Sequence, residues 1–126
     1  MSDSRRGVNI GVDDNSFGLS LLKETISSAG YTFFGASSGQ EAVRLTERLI
    51  PQLIVLDVEM PGMDGFSTCR QLRSRLSLKH VPIAFLTARK TAEDVRTGLG
   101  AGGNDFIVKP FDPAKLLARI RHWVGR

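Results

Sequence analysis

Four apolar runs in this chain of 126 residues each end in a polar residue suited to phosphoryl chemistry. Val8 to Val12 runs into Asp13 and Asp14, and Leu53 to Leu56 runs into Asp57. Ile83 to Leu86 runs into Thr87, and Phe106 to Val108 runs into Lys109 and Pro110. A carboxylate can act as nucleophile, a hydroxyl can donate to a transferring group, and an ammonium can offset its charge. Three carboxylates in one pocket repel, so they call for a divalent cation. Oxygen-only ligands select a hard one, Mg²⁺ before others.

Each signal has an ordinary reading when taken alone. An Asp-Asp pair is usually a solvated turn, Thr87 a helix cap or strand-end hydroxyl, and Lys109-Pro110 a plain loop. Asp57 at the end of a wholly apolar run is the most unusual, because burying a lone carboxylate is costly. All four in order, each at a strand end, form the stronger signal. Short apolar runs bounded by turn residues read as buried strands. In an open parallel sheet, ligands bind outside the carboxyl ends of the strands. Strands sharing one sheet would bring the three carboxylates, the hydroxyl and the ammonium to one spot.

The elements that must do this positioning alternate strand and helix five times. The spacing predicts a first strand over about 8–13 and a helix over 16–29, capped by Asn15 or Ser16 and closed by Gly30. Leu19, Leu22, Ile26 and Ala29 form its core stripe. A strand over 31–36 follows. Ser38 and Glu41 make an S-x-x-E capping box opening a helix to about Leu49, before Pro51. Pro61-Gly62 and Asp64-Gly65 mark a loop, and a helix runs from about Phe66 to Leu76. The fourth helix, Thr91 to Ala101, is weakened by Gly98 and Gly100, since an interior glycine costs about 1 kcal/mol against alanine. Asp112 and Pro113 open the last helix, with Leu116, Leu117, Ile120 and Val124 as its core stripe. Such alternation implies an α/β fold with a parallel sheet covered on both faces.

The length suits one compact domain. No run approaches the ~18 apolar residues of a membrane span. The two arginines near the N-terminus precede no signal-like apolar segment, so a cytoplasmic location without membrane contact is the expectation. Cys69 is the only cysteine, which excludes an internal disulfide and a cysteine-based zinc site. The net charge is +4; setting aside Lys109 and the three aspartates leaves 16 basic against 10 acidic residues, or +6. An acidic pocket on a basic body could attract an acidic partner, and an ordinary solvated surface explains the charge as well. The pI near 9.7 raises nucleic-acid binding. However, the basic residues are not interleaved with aromatics, and no helix-turn-helix or zinc motif is visible. No direct nucleic-acid partner is expected.

The chain closely resembles the receiver domain of bacterial response regulators. The matching text is VDDN (12–15), LIVLDVEMPGMDG (53–65), LTA (86–88) and DFIVKPF (105–111). The resemblance spans about Val8 to Val124 and implies a single receiver domain over residues 1–126. It implies a flavodoxin-like, doubly wound five-stranded parallel sheet, order 2-1-3-4-5, with five helices.

By this resemblance the protein is a phosphoacceptor in a two-component or phosphorelay system. Asp57 is the nucleophile that takes a phosphoryl group from phosphohistidine on a histidine kinase or histidine phosphotransfer protein. Asp14 and Asp57 bind Mg²⁺ directly, Asp13 acts through water, and the backbone carbonyl of Glu59 adds a ligand. Lys109 and Thr87 contact the phosphoryl oxygens, and the Lys109-Pro110 peptide is cis. Small Ala88 leaves the site open. Thr87 and Phe106 form a switch in which the aromatic ring turns inward as Thr87 moves, altering the face built by the fourth helix, fifth strand and fifth helix. Glu59, Ala88 and Arg89 modulate phosphoryl loss. Glu59 and Arg89 could pair across the pocket mouth, where an exposed pair is worth little. Asn15, Phe17, Gly18, Leu21, Pro110 and Phe111 form the partner-docking surface.

The last helix carries a basic stripe of Lys115, Arg119, His122 and Arg126, read either as a solvated face or as a dimer contact to acids such as Asp105. A monomer or weak dimer is expected. Downstream, the partner is a separate protein or a fused output domain. The chain is then a stand-alone regulator or a receiver excised from a larger regulator or hybrid kinase. A different class, an aspartyl-phosphate phosphatase, would want a second aspartate where Glu59 stands. The expectation is therefore no enzyme beyond its own phosphorylation and slow dephosphorylation.

Overall fold

The centre of the sheet is the apolar run that delivers Asp57. The computed structural model describes residues 7–88 and 90–124. In it β3 (Leu53–Asp57) is buried at every position. It is flanked by β1 (Val8–Val12) and β4 (Ile83–Thr87), with β2 (Thr32–Ala36) and β5 (Asp105–Val108) at the edges. All pairs are parallel, and the order β2-β1-β3-β4-β5 is the one expected. The registers level the carboxyl ends. Val12 lies opposite Leu56, Asp57 opposite Leu86, and Thr87 opposite Val108.

Alternation along the strands divides the core. Ile10, Val12, Ile54, Leu56, Ile83 and Phe85 face one side, packed with Ala42, Cys69 and Leu72. These three come from α2 (Gly39–Leu45) and α3 (Gly65–Arg73). Leu53, Val55, Ala84, Leu86 and Ile107 face the other. There they meet Leu22 and Ile26 of α1 (Ser16–Ser28) and Leu116 and Ile120 of α5 (Pro113–Val124).

The helix starts follow side-chain chemistry. Asn15, Ser38, Asp64 and Thr91 each accept a hydrogen bond from the backbone three residues on. Asn15, not Ser16, caps α1. Glu41 reaches back one residue further than a capping box does, accepting from the Ser37 backbone and hydroxyl. Two helices stop earlier than the spacing predicts. After Leu45 the backbone tightens into three-residue bonds from Glu47 and Arg48, and the Thr46 hydroxyl bonds Val43 O at 2.8 Å. After Arg73 the chain turns through Ser74 into a 3₁₀ turn, Leu76–Leu78. Arg73 clamps this exit. Its guanidinium donates to Leu78 O at 2.7 Å, and to Gly102 O and Asn104 Oδ1 at 2.8 Å.

α4 (Ala92–Gly100) forms despite its glycines, and packing explains why. A Cβ at Gly98 would lie 2.4 Å from Phe106 Cζ and 2.9 Å from Phe85 Cε2. The glycine lets the helix rest directly on the Phe85 and Phe106 rings, whose centroids are 5.2 Å apart.

One residue interrupts the first apolar run. Asn9 of β1 is fully buried, and among the described residues neither its amide oxygen nor its nitrogen finds a hydrogen-bond partner. An unmet buried amide costs about 1–3 kcal/mol. Asn9→Leu, of similar volume, is therefore expected to stabilise the chain by about that much, read as a higher urea midpoint at unchanged m-value. A lower midpoint would show that the amide is satisfied after all.

Candidate functional site

Asp13 follows β1, Asp57 ends β3, Thr87 ends β4 and Lys109 follows β5, so the level registers bring all four to one end of the sheet. Ligand atoms of Asp13, Asp14 and Asp57 all lie within 4.8 Å of one another. Asp13 and Asp57 are each 2% exposed, whereas Asp14 faces solvent. Lys109 Nζ stands 2.9 Å from Asp57 Oδ1. Its backbone N–H donates to Thr87 O at 2.8 Å, and the Lys109-Pro110 peptide is cis as expected.

Local backbone features hold the carboxylates. Asp13 Oδ1 accepts the Asn15 N–H at 3.0 Å. Gly18 of α1 leaves room for the other oxygen, since a Cβ there would come within 2.4 Å of Asp13 Oδ2. Gly65 does the same beneath Asp57, where a Cβ would meet the Asp57 carbonyl at 2.4 Å. The turn signal at Asp64-Gly65 marked this position, but not its closeness to the site.

The electrostatics are those of crowded anions. Burial pushes the Asp57 carboxyl up to about 6, and the charges of Asp13 and Glu59 add to the rise while Lys109 opposes it. Lys109 is shifted upward as well, for a different reason. Burial would lower its pKa, but Asp57, Asp13 and Glu59 together hold it above the ordinary lysine value. Three carboxylates thus share one ammonium. An all-oxygen donor set with surplus negative charge is what a hard divalent cation satisfies. The cluster therefore fits such an ion.

Around it lies a cleft of about 530 Å³. The six residues read as a docking surface (Asn15, Phe17, Gly18, Leu21, Pro110 and Phe111) all line it. Phe17 is 78% exposed and Leu21 38%. Ala88 and Glu59 also line it.

Glu59 has a partner the sequence did not suggest. Its Oε2 accepts the Thr87 hydroxyl at 3.0 Å. Arg89, the partner expected from the sequence, lies outside the described residues, as does Arg126 of the basic stripe. Phe106 is only 6% exposed and packs on Phe85. Asp105 is engaged within the chain. It accepts from Arg119, from the Trp123 indole at 2.9 Å and from the Phe106 N–H at 2.8 Å. Burial pushes its pKa up, but these donors outweigh burial and hold it below the usual carboxylate value.

Residues 10–121 match the response regulator receiver domain family. The chain belongs to this family. The receiver is 42% identical over 115 residues to a probable transcriptional regulator, ycf27, of Porphyridium aerugineum, covering 91% of this chain and 47% of that protein. It is 38% identical over 110 residues to the response regulator PleD of Caulobacter vibrioides, covering 87% and 24%. It thus spans half or less of these curated relatives. Among solved structures it superposes on the chemotaxis protein CheY4 of Vibrio cholerae with a TM-score of 0.90 at 30% identity, covering 92% and 97% of the two chains. The receiver domain of sensor histidine kinase PA1611 from Pseudomonas aeruginosa gives 0.88 at 32% identity, covering 95% and 98%. That structure holds a magnesium ion in its active-site cleft.

As a receiver, the chain serves as an aspartyl phosphoacceptor in Mg-dependent phosphotransfer. Among the described residues no helix is long and apolar enough to cross a membrane.

Folding raises the Asp57 pKa from 3.8 to about 6, so the folded chain holds that proton more tightly than the unfolded one. This contribution to stability is fully present below about pH 3.8 and is lost as pH rises toward 6. With a chelator present, Asp57→Asn should therefore be more stable than the wild type at pH 7. The gain is about 1–2 kcal/mol after allowance for solvent in the cleft. It should shrink as pH falls through that window. Urea titrations at several pH values measure the difference; a gain that does not change with pH would rule out the buried Asp57 charge as its cause.

Proposed function

We propose that Asp57 is the phosphoacceptor, that Lys109 and Thr87 contact the incoming phosphoryl group, and that the acidic cluster holds Mg²⁺. The observation carrying this reading is the convergence of three aspartates and one lysine at the levelled strand ends, with Asp57 buried and paired to Lys109. Asp13, Asp14, Asp57 and the backbone carbonyl of Glu59 would hold the ion. When bound, the ion offsets carboxylate repulsion and screens charge on the phosphoryl oxygens. The magnesium in the cleft of the similar PA1611 receiver supports the choice of metal.

The donor in this reading is a phosphohistidine on a histidine kinase or histidine phosphotransfer protein. A carboxylate oxygen of Asp57 attacks phosphorus, and the phosphorus–nitrogen bond breaks. Its electron pair returns to the imidazole nitrogen, which takes up a proton, and an acyl phosphate remains on Asp57. Lys109 offsets charge on the transferring group, so the protein's work is positioning and electrostatics. Exposed Phe17 and Leu21 beside the cleft suit an apolar contact with the donor protein. Residues 1–126 act as one receiver unit, which signals to a downstream protein or an attached output domain through the α4–β5–α5 face, as a monomer or weak dimer.

Incubation with Mg²⁺ and a small-molecule phosphodonor is expected to add one phosphoryl mass to the wild type and none to Asp57→Asn. Lys109→Ala should slow the gain by about 10²-fold. Intact-mass spectrometry measures both. A phosphoryl mass on Asp57→Asn would move the acceptor elsewhere.

A further inference from the structure

The Thr87 hydroxyl is committed before any phosphoryl group arrives. It donates to Glu59 Oε2 at 3.0 Å. A carboxylate only accepts, and a hydroxyl carries one hydrogen, so that hydrogen is spent on Glu59. A phosphoryl oxygen is also an acceptor. The same proton cannot serve Glu59 and a phosphoryl group on Asp57 together.

We propose that Glu59 is a positioning residue: its carboxylate latches Thr87 in the resting arrangement, and phosphorylation of Asp57 must break that latch. The proposal rests on Asp57 being the phosphoacceptor and deepens that reading. Thr87 is buried at the end of β4, whereas Glu59 is exposed at the rim of the cleft. One partner is therefore fixed by the sheet and the other is free to swing into water. Once Thr87 turns to the phosphoryl group, the Glu59 carboxylate stands near a second anion, and repulsion drives it outward. Glu59 thus opposes the phosphorylated state twice, through the hydrogen bond that must be exchanged and through like charge. The Thr87 hydrogen bond to Glu59 marks the resting arrangement.

The two effects of Glu59 separate in a double-mutant cycle. The probe is beryllofluoride with Mg²⁺, a phosphoryl mimic whose dissociation constant reads stability of the phosphorylated arrangement without turnover. Glu59→Ala should tighten its binding about three- to tenfold, the range for exchanging one ordinary hydrogen bond. In a Thr87→Val background most of that gain should vanish, because no hydroxyl remains to be released. Thr87→Ser, which keeps the hydroxyl, should restore it. Glu59→Gln keeps an acceptor without the charge and should fall between wild type and Glu59→Ala. An equal gain with Thr87 and with Thr87→Val would overturn the latch, since Glu59 would then act on the phosphoryl group by charge alone. Failure of the wild type to bind beryllofluoride at all would bring down the phosphoacceptor reading, and the latch with it.

Discussion

A carboxylate buried at the centre of a sheet, with more negative charge around it than positive, is the constraint on which the rest of this structure depends. Asp57 is held at the end of a fully buried strand, where little water reaches its charge. Lys109 supplies one ammonium at 2.9 Å, against the further anions Asp13, Asp14 and Glu59. Such a site is costly for the fold and useful for chemistry. The surplus charge favours a cation, and the low local dielectric strengthens every interaction with a transferring group. The levelled ends of four parallel strands keep these side chains together, and that levelling follows from strand register.

The same need for closeness explains glycines that helix propensity alone would count as defects. Gly18 and Gly65 give way to the carboxylate of Asp13 and the carbonyl of Asp57, and Gly98 gives way to Phe106. In each case the missing Cβ is the space that another group fills.

Much of this was legible in the sequence. The apolar runs ending in Asp13, Asp57, Thr87 and Lys109 revealed the sheet and the members of the cluster, because strand burial and strand-end chemistry are written locally. Caps at Ser38 and Asp112 were legible for the same reason, whereas Asp64 was legible as a turn and not as a cap. What stayed hidden depends on distant residues meeting. The Glu59–Thr87 bond joins positions 28 apart, and nothing local to either residue signals it. Arg73 joins Gly102 and Asn104 across 29 and 31 residues. Helices α2 and α3 ended early because side chains at Thr46 and Ser74 bond the preceding turn, which apolar periodicity does not register. Asn9 passed as part of an apolar run because one polar residue barely disturbs such a pattern, although burial makes it matter.

The Arg73 clamp has a mechanical side. Its guanidinium grips Gly102, just past the end of α4, and the Cys69 thiol donates to the carbonyl of Ala101 at the same end. The opposite end of α4, at Thr91, is the one nearer the cleft, four residues beyond Thr87. A helix of nine residues is about 13 Å long. Anchored at its tail, it has its tied end far from the site, and its first turn lies where strand β4 delivers Thr87.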